Sequence, residues 1–157
     1  MNKGVVEIVE PSKEIFELMI SIQGEIKEVV SHVKTKPIGS FAVPMCGKKE
    51  IDILIETDDV EKAQDLLSEI GFGKGPIVKG EGFCRKRIGD MICELHIVQP
   101  NNKKIKDYDK IIKVFQENKE LREEFEDIKR SMNGKLIEEY KQSKKEFFAS
   151  IKKLVEL

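Results

Sequence analysis

The segment Glu50-Ile51-Asp52-Ile53-Leu54-Ile55-Glu56 narrows the fold more than any other stretch of the chain. Ile51, Ile53 and Ile55 alternate with Asp52, Leu54 and Glu56. That is the period of a β-strand with one face in a core. An acid inside so apolar a run is costly to bury alone, so Asp52 calls for water, a base or a metal ion as partner. Gly39-Ser40 comes shortly before it. Glycine lets the backbone approach a ligand closely, and the serine adds a hydroxyl and an N–H at the start of a turn.

The rest of the chain reads as helices and strands around that segment. Val5-Val6-Glu7-Ile8-Val9 is a short strand or extended lead-in ended by Pro11. Ser12 caps a helix whose apolar residues, from Ile15 to Val30, recur at helical spacing. Pro37 favours an extended stretch near Lys36 to Ile38, which delivers the Gly39-Ser40 turn. Asp58 with Glu61 suggests a capping box, opening a helix that Gly71 ends. Residues 72–82 form a loop around a short strand, Pro76 to Lys79. Phe83–Ile88 and Met91–Val98 flank Gly89-Asp90 as a hairpin, with Arg85 opposite Glu94, Arg87 opposite Ile92 and Phe83 opposite His96.

From about residue 105 the pattern is helical. One segment carries Ile105 to Phe115, and Asn118 caps a second that ends at Asn133-Gly134. A third long helix runs from Leu136 to Val155. Strands lie mostly in the first hundred residues and helices before, between and after them. The expected fold is α+β: a mixed sheet with helices on one face and a helical C-terminal segment over about 105–157, all in one domain of 1–157.

Charge argues against some function classes, a local basic patch aside. Lys+Arg is 28 and Asp+Glu is 29, a formal net charge of -1, so nothing global favours nucleic acid or a membrane surface. No apolar run matches a membrane span or a signal-peptide core. Cys46, Cys84 and Cys93 form no CxxC motif and suit a reducing, cytoplasmic setting as small core fillers.

The chemistry-bearing residues gather on one face of the expected sheet. Alternation puts Asp52, Glu94 and His96 on the face opposite the apolar one. Two carboxylates and an imidazole there suit a divalent cation such as magnesium. The structural alternative is a cross-strand Arg85–Glu94 ion pair beside a hydrogen-bonded histidine. Arg85 and Arg87 share the face and suit phosphate oxygens, or form a solvated edge. Lys48, in the loop before Asp52, can neutralise a phosphate or simply solvate the loop. Lys144, one turn after Tyr140, can face the same cleft. Glu56 shares the face of Asp52 but lies too far along the strand to share an ion.

These residues resemble the GrpB-like family, a branch of the nucleotidyltransferase superfamily. Ile38-Gly39-Ser40-Phe41-Ala42-Val43-Pro44, Gly47-Lys48 and Ile51-Asp52-Ile53 stand in the order of its central signature. Glu94-Leu95-His96-Ile97 matches a second signature. Asn118-Lys119-Glu120-Leu121, with Tyr140 and Lys144 further on, matches a third. The likeness runs over nearly the whole chain. It implies a fold that holds a triphosphate and its magnesium between a Gly-Ser turn and an acidic strand. The departures fall around that cleft. Phe41 replaces a threonine, Met45-Cys46 a Gly-Leu pair, Glu94 the first histidine of His-Leu-His, and Ile112-Lys113 an Arg-Asp pair. The second acid of the superfamily, two residues after Asp52, is Leu54.

Three functional readings follow as expectations. The first is a nucleotidyltransferase-like protein that binds a nucleotide or phosphorylated metabolite at Gly39, Ser40, Lys48, Arg85, Arg87 and Lys144. There Asp52 and Glu94 are the catalytic carboxylates and magnesium sits on Asp52, Glu94 and His96. The alternative is a non-catalytic binding or regulatory module that has lost the full carboxylate set. A third reading is an interaction domain whose last helix packs on a partner.

Overall fold

A computed structural model describes residues 4–155. Its centre is a five-stranded mixed sheet in the order β2-β4-β7-β6-β5. These strands are β2 (Lys34–Ile38), β4 (Glu50–Glu56), β5 (Gly73–Lys74), β6 (Gly82–Ile88) and β7 (Met91–Val98). β4 and β7 run parallel, and the other pairs are antiparallel. A separate two-stranded ribbon joins β1 (Ile8–Val9) to β3 (Gly47–Lys48).

The period-2 pattern sets which face is which. Ile51, Ile53, Ile55, Cys93, Leu95 and Ile97 are buried beneath α1 (Lys13–Val29) and α2 (Val60–Ser68). Met19, Ile22 and Ile26 of α1 with Ala63 and Leu67 of α2 complete that core. Ser12 caps α1 by accepting from the Ile15 N–H. Gly89, at a φ of 63°, turns the β6–β7 hairpin. The hairpin has the expected register, with Arg85 opposite Glu94 and Phe83 opposite His96.

The C-terminal helices are α3 (Lys103–Glu117), α4 (Lys119–Ser131), α5 (Ile137–Ser150) and α6 (Lys152–Val155). Asn118 ends α3 and caps α4, its side chain accepting from the Leu121 N–H. Phe115, Phe125 and Phe147 stack in a second core, with Phe125 and Phe147 centroids 4.5 Å apart and Phe148 edge-on to all three. α3 also reaches the sheet. Its Ile105, Tyr108 and Ile112 cover Ile38, Leu54 and Val98 on the face away from α1. That face is therefore part covered and part open.

Three sequence expectations need correction. Asp59, not Asp58, caps α2, accepting from the Lys62 N–H three residues on. Pro76 to Lys79 is not a strand: Lys79 and Gly80 both take positive φ, 52° and 78°, and reverse the chain there. The strand of this loop is β5, at Gly73–Lys74. The expected last helix divides at Ile151, whose φ of -108° and ψ of 10° leave helical geometry. Leu136 and Leu154, read as apolar positions of that helix, are exposed.

Candidate functional site

The parallel pairing of β4 with β7 builds the site. It sets Asp52 directly beside Glu94 and Leu54 beside His96. Side chains at 52, 94 and 96 project from the face that α1 and α2 do not cover. One donor atom from each of Asp52, Glu94 and His96 lies within 4.8 Å of the other two. His96 Nε2 is 3.5 Å from Asp52 Oδ1. Phe83, opposite His96 on β6, holds the imidazole edge-on at a centroid separation of 5.5 Å. Two carboxylates and an imidazole at this spacing fit a divalent cation with hard-oxygen preference.

A third carboxylate belongs to the cluster. Glu50 lies two residues before Asp52 on the same face of β4 and within hydrogen-bonding reach of both Glu94 and Asp52. Lys48 Nζ stands 3.4 Å from its carboxylate. The acid looked for two residues after Asp52 is thus found two residues before it. Leu54 itself is 1% exposed and packs in the small core under α3, so position 54 has no room for a charge.

The electrostatics follow from this crowding. Burial first, then the Glu50 charge, pushes Glu94 up to about 7. Burial also raises Asp52, while the hydrogen bond from His96 works against it. At Glu50 burial acts in the same upward direction. Lys48 and the hydrogen bonds from Glu94 and Asp52 outweigh it, and the carboxyl is lowered. Three acids that repel one another at close range are a site whose charge a cation would balance.

Beside the acids stand the Gly-Ser turn, which follows Ile38, the β2 partner of Asp52, and two lysines. Gly39, at a φ of 80° and ψ of -164°, precedes a short 3-10 turn, Ser40–Ala42. Gly39 and Ser40 border a cleft of about 340 Å³ together with Glu50, Asp52, Glu94, His96, Lys129 and Lys144. Apolar side chains from α3 to α5, Phe115, Phe125 and Phe148 among them, close the far wall. Lys144 leans on the Tyr140 ring at 5.3 Å, and burial followed by the nearby Lys48 charge lowers its pKa. Lys129 is 1% exposed and donates to Ser40 Oγ at 2.7 Å.

The expected site residues divide into two groups. Gly39, Ser40, Asp52, Glu94, His96 and Lys144 converge on the cleft. Lys48 engages Glu50 and the Tyr140 ring at the side of the acid cluster. Arg85 is exposed and 3.7 Å from Glu94, and Arg87 is exposed further along β6. Glu50 and Lys129 were not among the expected residues. The signal for Glu50 was the strand period read backwards from Asp52. The signal for Lys129 was its place one turn after Phe125 and two after Leu121 on one helix face.

Comparison with known proteins agrees with this architecture. The family described as GrpB protein matches residues 5–154. A crystal structure of the conserved protein GrpB from Enterococcus faecalis superposes with a TM-score of 0.76 at 21% identity, covering 95% of this chain and 94% of that one. A cytoplasmic RNA terminal U-transferase superposes with a TM-score of 0.51 at 13% identity, covering 72% of this chain and 37% of that one. At such identities these likenesses are of fold. No curated protein matches the chain.

Proposed function

The chain belongs to the GrpB family, with a nucleotidyltransferase-like fold, and from that premise we propose that it binds a nucleotide or phosphorylated metabolite together with a divalent cation. The observation that carries this reading is one cleft lined by both acids and a cationic, donor-rich turn. Asp52, Glu94 and His96 gather within 4.8 Å, with Glu50 beside them, and Gly39, Ser40, the buried Lys129 and the partly buried Lys144 line the same cleft. A metal-bound polyphosphate suits that mixture of groups: cation on the carboxylates and imidazole, phosphate oxygens on the adjoining turn and the ammonium groups. The fold shared with an RNA terminal U-transferase supports a nucleotide as the ligand class.

In this reading Gly39 admits phosphate to the backbone, Ser40 donates its hydroxyl, and Lys144 neutralises charge. Lys48 holds Glu50 in place. Asp52, Glu94 and His96 would hold magnesium, which supplies charge neutralisation at phosphate oxygens. Glu50 restores an acid-x-acid pair with Asp52, so the carboxylate set no longer depends on position 54.

Calorimetric titration with nucleoside triphosphates, with and without magnesium, tests the proposal. Binding that magnesium strengthens at least tenfold is expected. Binding indifferent to magnesium would favour the second reading, a non-catalytic module. One feature supports that alternative: Arg85 already reaches toward Glu94 and partly satisfies it. Metal-dependent turnover of a triphosphate would decide for the enzyme.

A further inference from the structure

Lys129 is, among the described residues, the only charged side chain buried below a tenth, at 1% exposure. Helix α4 brings it inward on the face of Leu121 and Phe125. Its amine lies 4.2 Å from the Phe125 ring centroid, 2.7 Å from Ser40 Oγ and 2.9 Å from the Cys46 carbonyl oxygen. Among the described residues no carboxylate forms an ion pair with it. Glu126 on the same helix accepts instead from the Cys46 N–H and from Arg130. A buried amine without a counter-ion, at the wall of a cleft, lacks the partner that would justify its charge.

We propose that Lys129 is a positioning residue for the phosphate site: by donating to Ser40 Oγ it leaves the Ser40 hydroxyl hydrogen to be given to an anionic oxygen in the cleft. This rests on the phosphate reading above. An ammonium has three donors and no acceptor. Two of its hydrogens go to Ser40 Oγ and the Cys46 carbonyl, and the third faces the Phe125 ring. Ser40 Oγ then accepts, so its own hydrogen must point elsewhere. Gly47 closes one side, since a Cβ there would meet Ser40 Oγ at 2.6 Å. The cleft is the open side.

A neutral amine reverses the arrangement. Its lone pair needs a hydrogen, and the Cys46 carbonyl cannot give one. Ser40 then donates inward and presents only lone pairs to the cleft, which repel phosphate. The groups that set the balance are on every neighbouring element. Burial and the Lys144 charge from α5 lower Lys129 to about 7, while Cys46 from the loop after the Gly-Ser turn and Glu126 on α4 act the other way. A bound polyanion adds a further upward pull, so binding and proton uptake at Lys129 favour one another.

The test is titration of the protein with inorganic tripolyphosphate between pH 6.5 and 8.5. Four forms are compared: unchanged, Lys129→Met, Ser40→Ala and the double variant. Lys129→Gln serves as a second replacement that keeps a neutral donor for Cys46. Ligand-free melting shows which variants fold. Tenfold or greater weakening in either Lys129 variant is expected, with a smaller fall of affinity with pH than in the unchanged protein. Ser40→Ala should cost far less in the Lys129→Met background than alone. A folded Lys129 variant with unchanged affinity and pH profile overturns the proposal, as does an undiminished Ser40→Ala effect in the double variant. No binding by the unchanged protein overturns the phosphate reading itself, and this inference with it.

Discussion

Gly39 is the residue that makes room for Asp52: a Cβ at position 39 would stand 2.8 Å from Asp52 Oδ2. The backbone there, at a φ of 80° and ψ of -164°, is open to glycine and strained for other residues. The turn and the acidic strand are thus one unit. Gly39→Val should cost about 2 kcal/mol in backbone strain and displace the Asp52 carboxylate as well. Chemical denaturation reads the first effect. The second shows as loss of triphosphate binding, and retention of full affinity would break the link between turn and strand.

Asp52→Asn tests the metal side of the site. Asn keeps the shape and can still accept from His96, so melting should change little. The charge that draws a cation is gone. The gain in nucleotide affinity produced by magnesium should fall at least tenfold, with affinity in its absence nearly unchanged. A magnesium effect that survives the substitution would move the cation away from Asp52.

Much of the fold was legible because strands 50–56 and 83–98 announce themselves by strict alternation around one clear turn, Gly89-Asp90. That alternation also carried the register, so Arg85, Glu94, Phe83 and His96 fell opposite the right partners. The loop at 76–79 was not legible, because a lysine at positive φ leaves no trace in composition. Glu50 is not legible from the superfamily pattern, which sets the second acid two residues after Asp52, not two before it on the same face. Lys129 was hidden differently. In a segment dense with Lys and Glu, one more lysine reads as a solvated helix face. Only the packing of α4 against the Gly-Ser turn shows that this one points inward.

Leu54→Asp asks whether an acid at the superfamily position would help. Leu54 is 1% exposed beneath Ile105, Tyr108 and Ile112. An aspartate there buries a charge among apolar side chains and removes a filled volume. The expected cost is about 3 kcal/mol or more. Magnesium-dependent nucleotide binding should not improve. Near-normal stability together with tighter metal binding would show that α3 can lift off the sheet.

Lys129 gives a stability signature that needs no ligand. Its folded value of about 7 lies below the ordinary lysine value of 10.5. Between those values the unfolded chain holds the proton and the folded chain releases it. The unfolded state therefore binds more protons, and stability rises with pH across the window. The buried thiols of Cys46, Cys84 and Cys93, all raised by burial, pull the opposite way once pH nears their ordinary value of 9.0. Glu94, raised to about 7, does so at the low end of the window, and Lys144, lowered by burial, pulls with Lys129. The readable range is thus pH 7 to about 8.5. Over it the lysine should contribute about 2 kcal/mol, or roughly 4–8 °C in melting temperature. Lys129→Met should flatten that rise while leaving the thiol-driven fall at higher pH. A difference between the wild-type and Lys129→Met curves that stays constant from pH 7 to 8.5 would show that the amine keeps its proton inside the folded protein.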